Sequence, residues 1–263
     1  MKKAVGSCAL IVLILSLSVF PIYAADEMKS IDKPKEKFSH TVLAEYGTVT
    51  TCPACPAASE LLYRLYTSSE YQFYYITFVI DKNTAAKRRM VWGYLDRFVP
   101  TTYFDGGYMV SLGSNETEYR NAIEKCGARD VHDINMEMTA RWENGKIIIN
   151  LYVENLEKKP YLGWLKVYVT EKESRWQDYN GSSYHFALID FASNKPIFLF
   201  GNKNKNISIE WTPNMEGIES NNIMIIAAVS NIFPHLKKNP WDRPKPTTFL
   251  AFYVDQVIAV EPQ

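Results

Sequence analysis

The sequence predicts an α/β domain in its first half, followed by an all-β antiparallel sandwich of the immunoglobulin or fibronectin kind. Up to about residue 127, strand-like apolar runs alternate with segments whose apolar residues have helical spacing. Beyond about residue 130, short strand-like runs follow one another, separated by turn signals. The chain has 263 residues, 47% of them hydrophobic, which is a globular composition long enough for one or two domains.

The N-terminus has the pattern of a secretory signal. Lysines near the start precede an apolar run over residues 9–20, and small alanines end the segment at Ala25. We therefore expect residues 1–25 to be a signal peptide and residues 26–40 a polar linker. The mature protein would be exported, to the periplasm, the cell surface or the medium. The alternative is an uncleaved membrane anchor, although the apolar run is short for a span.

The first predicted domain, residues 41–130, has elements in the order strand, helix, strand, helix, two strands, helix. The stretch HTVLAEYG predicts a buried strand, and the helix after it places Leu61, Leu62 and Leu65 on one face. The early alternation of strand and helix implies parallel strands. The remaining predicted elements are a strand over 73–81, a helix over 83–98, a hairpin over 99–110 and a helix over 114–127.

The second predicted domain, residues 131–263, consists of strand-like runs with apolar alternation. Turn signals such as Asn144-Gly145 and Asn180-Gly181 separate them. About seven such runs at this spacing predict an antiparallel sandwich.

The stretch TTCPACPAASELLYRL, residues 50–65, contains the feature with the clearest chemistry. Cys52 and Cys55 stand directly before a predicted helix. Once the predicted leader is removed, the only other cysteine is Cys126, which the helical spacing predicts to be a small core residue. A disulfide-stapled scaffold would have more cysteines in an even number. Two cysteines kept close together in an oxidising compartment therefore favour chemistry over scaffolding.

The position of the two cysteines predicts different roles for them. A thiolate at Cys52 would face unpaired backbone N–H groups and the positive end of the helix dipole. Such a position can lower a thiol pKa from about 8.5 into the range of roughly 3.5 to 7.5. We expect Cys52 to be the exposed nucleophile and Cys55 the buried resolving thiol. A structural disulfide and a metal clip are the alternatives, although the histidines show no clustering that would complete a zinc site.

The CPAC motif at Cys52 lies between a strand and a helix, and a Val-Pro-Thr run at Val99 opens a later strand. This pattern resembles the thioredoxin superfamily over about residues 41–127. The resemblance implies that the first domain is thioredoxin-like, that Pro100 is cis and lies beside the dithiol, and that Val99 offers backbone hydrogen bonds to a substrate peptide. It also implies a buried acid that relays protons, for which Glu45 is the nearest candidate.

The sequence therefore predicts an exported thiol–disulfide oxidoreductase that exchanges disulfides with protein substrates and uses neither cofactor nor metal. A redox partner protein is a further candidate partner, and a membrane is one only if the signal is uncleaved. The absence of net formal charge argues against nucleic acid. The alternative is a redox-inactive protein for adhesion or copper binding that uses the fold as a scaffold. The dipeptide between the cysteines does not select among reductase, oxidase and isomerase.

Overall fold

The structure is a computed structural model that describes residues 38–240 and 247–263. The predicted signal peptide, residues 1–25, lies outside the described residues, and so do residues 26–37 of the predicted linker. Within the described ranges, no helix is both long enough and apolar enough to cross a membrane.

Strands make up most of the regular structure. They are β1 (Val42–Thr48), β2 (Phe73–Val79), β3 (Thr101–Phe104), β4 (Met109–Leu112), β5 (Ile134–Glu143), β6 (Lys146–Asn155), β7 (Tyr161–Gln177), β8 (Ser183–Leu199), β9 (Lys203–Trp211), β10 (Ile223–Asn231), β11 (His235–Lys238), β12 (Thr248–Ala251) and β13 (Val254–Val260). The α-helices are α1 (Cys55–Thr67), α2 (Thr84–Lys87) and α3 (Glu116–Gly127). A π-helix, Arg88–Gly93, continues α2, and Asp105–Gly107 and Ser220–Asn222 form 3-10 turns.

A mixed sheet of eight strands forms the centre of the fold, in the order β13-β10-β7-β8-β2-β1-β3-β4. Strands β1 and β2 are parallel, and β2 is also parallel to β8. A three-stranded sheet, β5-β6-β9, packs on the part of the large sheet formed by β7, β8 and β10. Strands β11 and β12 form a separate two-stranded ribbon.

The predicted fold class, a thioredoxin-like α/β domain followed by a separate antiparallel sandwich, is wrong. The described chain is mainly β, and one sheet takes strands from both sides of residue 130. The two parts meet where Thr77 of β2 pairs with Ala187 of β8, and the Thr77 hydroxyl donates to the His185 carbonyl at 2.7 Å.

The large sheet has a hydrophobic core on each face. In β10, Met224 and Ile226 pack into the core that contains the helices. Their neighbours Ile223 and Ile225 pack into the core beneath the three-stranded sheet. The run IMIIAAVSN is apolar at nearly every position because both of its faces are buried, as in the central strands of a sheet covered on two sides.

The helix predicted over 83–98 is shorter than expected. Asn83 caps α2, since its side chain accepts a hydrogen bond from the Ala86 amide at 3.0 Å. The helix ends with the π-helix at Gly93, and Leu95 has a φ of 54°, which a right-handed helix does not allow. The π-helix places Met90 so close to β1 that a Cβ at Gly47 would lie 2.5 Å from the Met90 methyl carbon.

Because one sheet contributes to both cores, we expect the chain to unfold in a single transition. Ile225→Ala and Ile226→Ala remove fully buried side chains from opposite faces of β10, and each should lower the free energy of unfolding by about 2–5 kcal/mol. Denaturant titrations of the full chain would measure this. Leu236→Ala is the control, since Leu236 is 72% exposed and its truncation should change little. A second transition that stays at its wild-type midpoint in either core variant would contradict a shared sheet.

Candidate functional site

Cys52 and Cys55 form a disulfide at the junction between β1 and α1. Their Cα atoms are 5.4 Å apart, and α1 begins at Cys55 itself. Pro56 lies in the first turn, where its missing N–H removes no helical hydrogen bond. Cys52 is 8% exposed, whereas Cys55 is completely buried. Cys55 is thus buried as predicted, whereas Cys52 is much less exposed than predicted and keeps only a small accessible surface.

The first turn of α1 offers the sulfurs an electropositive setting. Ala54 occupies the cap position and provides no side-chain hydrogen bond to the exposed amides of the helix start. No acidic side chain lies in the first turn either, so the positive end of the helix dipole is not neutralised there by a residue of α1. A thiolate formed at this end of the helix is consequently stabilised.

Side chains that the sequence reasoning missed hold the loop over residues 49–54 in place. The Tyr46 hydroxyl donates to the Cys55 carbonyl at 2.8 Å, across the first turn of α1. The Tyr184 hydroxyl donates to the Val49 carbonyl at 3.2 Å. Asp81 accepts from the backbone amide of Thr50 at 3.1 Å. The disulfide therefore lies in a segment that is fixed by side chains from β1, from β8 and from the turn after β2.

A sequence signal existed for one of these residues but not for all. Asp81 lies two residues after the end of β2, and the carboxyl ends of parallel strands such as β1 and β2 meet at the same edge of a sheet. That rule places Asp81 near the loop after β1. Tyr184 comes from β8, more than one hundred residues later, and nothing local to either segment links the two.

The bond between Val99 and Pro100 is cis, which confirms that prediction. Pro100 is buried and Val99 is partly exposed. The next residue, Thr101, pairs with Gly47 of β1, which brings this segment to the strand that leads into the dithiol loop. Within residues 38–240 and 247–263, neither backbone group of Val99 hydrogen-bonds to another residue.

Glu45, the candidate proton relay, forms contacts away from the cysteines. Its neighbour Tyr46 reaches the helix start, and adjacent strand residues point to opposite faces of a sheet. The Glu45 carboxylate is fully buried and accepts two hydrogen bonds from Arg89, at 2.8 and 2.6 Å. The hydroxyls of Tyr94 and Tyr168 also donate to it. The structure does not join Glu45 to the dithiol by any of these bonds, and its relay role stays a prediction.

The electrostatics of Glu45 follow from these contacts. Burial by itself would raise the pKa of the carboxyl, but the charge of Arg89 and its hydrogen bonds outweigh burial and lower that pKa. Glu45 is thus held as a carboxylate, so the pair with Arg89 forms a buried ion pair.

Cys126 is free and fully buried on α3, which confirms its prediction as a core residue. Burial, with the nearby charge of Asp105, raises the pKa of its thiol. Residues 38–240 and 247–263 contain no group of three or more His, Cys, Asp or Glu side chains placed to hold a metal ion.

No protein-family model matches the sequence, and no curated protein compared with it matches either. Among solved structures, a protein from Agrobacterium tumefaciens is similar in fold, with a TM-score of 0.52 over 85% of this chain and 96% of that chain at 12% identity. The CARDB domain of a Pyrococcus furiosus protein in complex with di-metal ions covers 47% of this chain and 94% of its own, with 18% identity and a TM-score of 0.25.

A beta-glucosidase from Kluyveromyces marxianus in complex with glucose matches 50% of this chain but only 14% of its own length, at 10% identity and a TM-score of 0.27. The Agrobacterium likeness concerns the fold alone. The other two likenesses are too weak to carry an argument. The chemistry of this chain therefore has to be inferred from its own residues.

We expect Glu45→Gln to lower the free energy of unfolding at pH 7 by about 3–5 kcal/mol, because it leaves the largely buried Arg89 without its carboxylate. The matched control is the double variant Glu45→Met/Arg89→Met, which removes both charges and should recover most of the loss.

Acid titration of the same variants checks the direction in which the Glu45–Arg89 pair changes folding stability with pH. Since the pKa of Glu45 is lowered in the folded protein, its stabilisation is complete above the ordinary carboxyl pKa of 4.5 and is lost as the pH falls through the lower folded value. The wild type should lose more stability across that window than the double variant. Equal acid dependence, or a Glu45→Gln protein as stable as wild type, would show that the ion pair is not what holds this region together.

Proposed function

We propose that this protein is a thiol–disulfide oxidoreductase that exchanges disulfides with protein substrates through Cys52 and Cys55. One observation carries the proposal: the two cysteines form a disulfide at the start of α1, where Cys52 keeps 8% exposure and Cys55 is fully buried. A disulfide that serves only as a staple has no need of a helix N-terminus. Reactive thiols recur at such electropositive helix starts.

The chemistry balances as a two-electron exchange. A substrate thiolate attacks the Cys52 sulfur, the Cys52–Cys55 bond breaks, and Cys55 leaves as a thiolate that takes up a proton. A second substrate thiolate then attacks the substrate sulfur of the mixed disulfide and releases Cys52. The substrate is oxidised to a disulfide, and the protein is reduced to a dithiol. The reverse sequence starts from the Cys52 thiolate and reduces a substrate disulfide.

The fixed loop around Cys52 favours both the oxidation and the reduction of a substrate. Hydrogen bonds from Tyr46 and Tyr184, together with the carboxylate of Asp81, hold the chain on either side of Cys52. The two sulfurs therefore stay within bonding reach after reduction. The attack of Cys55 on the mixed disulfide at Cys52, which re-forms the Cys52–Cys55 bond, is then an intramolecular step. Such a step proceeds at a high effective concentration.

Substrate binding belongs to the segment at Val99 and Pro100. The Val99 backbone groups make no hydrogen bond to the described residues, and Val99 is partly exposed. An extended substrate chain can pair with such free backbone groups as an added strand does. We therefore propose that Val99 and Pro100 hold the substrate chain next to the disulfide.

The proposal also includes the export of the protein and a redox partner protein. The leader-like N-terminus supports export to a compartment in which disulfides persist. A partner protein that restores the redox state of the dithiol after each turnover is part of the proposal. The competing class, a redox-inactive, adhesive or copper-binding protein, has no contact among the described residues that favours it over exchange.

The test is turnover of a disulfide-bonded protein substrate such as insulin, with glutathione as the reductant. Cys52→Ser should reduce the rate by about 100-fold or more, because it removes the nucleophile. Cys55→Ser should stop turnover at the mixed disulfide. The matched control is Cys126→Ser, a substitution at the buried free cysteine, which should leave the rate unchanged. A wild-type protein without turnover, or a Cys52→Ser protein as active as wild type, would overturn the proposal.

A further inference from the structure

A cavity of about 570 Å³ opens between the π-helix and strands β7 and β8. It lies on the face of the sheet that Glu45 occupies, because Arg89 both lines the cavity and pairs with Glu45. None of its lining residues belongs to the dithiol loop or to the Val99 segment. The cavity is therefore a site separate from the proposed redox centre, and its volume is within the range typical of small-molecule sites.

Four aromatic side chains contribute to the walls of the cavity. Trp92 of the π-helix lies at its edge and is 63% exposed, although a tryptophan side chain normally buries most of its surface. Trp164, Phe191 and Phe252 contribute further ring surface, each only partly buried. Flat apolar side chains that line an open cavity favour a flat apolar ligand. The π-helix is itself notable, since such segments recur at functional sites.

Lys166 supplies the polar feature of the cavity. It is only 9% exposed, yet in the described part of the chain its ammonium has no hydrogen-bond or ion-pair partner. The nearby carboxylate of Glu45 already accepts hydrogen bonds from Arg89 and two tyrosines. Asp190, at the cavity wall, accepts from the Phe191 amide and the Trp211 indole. A buried ammonium without a direct hydrogen-bond or ion-pair partner is unusual, because buried charges are normally paired.

The charge state of Lys166 follows from this position. Burial and the charge of Arg89 lower the pKa of the amine to about 7, against the opposing effect of Glu45. An anion placed in the cavity would supply the missing counter-charge and favour the protonated amine. One buried ammonium balances one negative charge, which fits a carboxylate better than a phosphate dianion. Arg88, exposed at the cavity wall, adds a further cation beside Lys166 and Arg89.

We propose that this cavity binds a small aromatic carboxylate, whose ring packs against Trp92, Trp164 and Phe191 and whose carboxylate pairs with Lys166. The proposal is independent of the redox chemistry. It requires only that the cavity admits the ligand, that the aromatic side chains contact its ring, and that the Lys166 ammonium pairs with its carboxylate. Arg88 assists at the entrance.

The experiment is calorimetric titration of the full chain with naphthalene-2-carboxylate, and with naphthalene-2-carboxamide as the uncharged matched probe. We expect the carboxylate to bind about tenfold or more tightly than the amide, since only the carboxylate can form an ion pair with the Lys166 ammonium. Lys166→Met should weaken carboxylate binding to the level of the amide and leave the amide affinity unchanged. Equal affinities of wild type for the two probes, or no binding of either at millimolar concentration, would overturn the proposal.

Because Lys166→Met changes a buried residue and could disturb the fold, a second pair of variants tests the cavity through exposed residues. Trp92→Ala and Arg88→Gln alter exposed side chains, so the fold should tolerate both. Trp92→Ala should weaken both probes, because it removes ring surface, whereas Arg88→Gln should weaken only the carboxylate. Unchanged affinity for the carboxylate in Trp92→Ala would contradict the assignment of the cavity.

The pH dependence gives a readout specific to Lys166. Affinity for the carboxylate should fall toward that of the amide as the pH rises from 6 to 9, because the deprotonated amine offers no charge to the carboxylate. In Lys166→Met it should be flat. The other titratable or charged groups around Lys166 are Arg88 and Arg89 of the π-helix, Tyr94 after it, Glu45 of β1, Tyr168 of β7 and Asp190 of β8. The same fall in the Lys166→Met variant would assign the pH dependence to one of them and overturn the role of Lys166.

Discussion

The alternation of Glu45 and Tyr46 along β1 is the constraint on which the rest of the structure depends. Neighbouring strand residues point to opposite faces of the sheet. On one face, the Tyr46 hydroxyl holds the first turn of α1 and with it the disulfide. On the other, the Glu45 carboxylate pairs with Arg89 and accepts from Tyr168 of β7. One strand thereby holds the dithiol on one side and connects the two halves of the chain on the other.

The sequence predicted the local geometry around the two cysteines better than the fold. The strand, the two cysteines and the helix follow one another within a short stretch, so their order indicates their geometry, and the Val99–Pro100 bond is cis as expected. The pairing of β2 with β8 joins Thr77 to Ala187. A period of two residues identifies strands but does not choose their neighbours. The prediction of two separate folds failed on that long-range pairing.

Lys166 shows the same limit at the level of a single residue. In the run GWLKVYVTE it occupies what an alternating pattern indicates as the solvent side of a strand. Trp164 and Tyr168 lie on the same side of β7, and their aromatic character was the available signal that this side is covered. The π-helix, which comes from the first half of the chain, lies over this side next to Trp164 and Lys166. A buried cation could not be predicted without that contact.

The most direct test of the account is to trap the mixed disulfide. Cys55→Ser, incubated in the reduced form with a disulfide-bonded peptide, should accumulate a covalent adduct at Cys52, because the resolving thiol that would release it is absent. Peptide mapping by mass spectrometry would locate the adduct, and reduction should remove it. The account predicts an adduct at Cys52 and none in Cys52→Ser. An adduct at Cys126, or no adduct under conditions in which a simple thiol exchanges with the peptide, would contradict it.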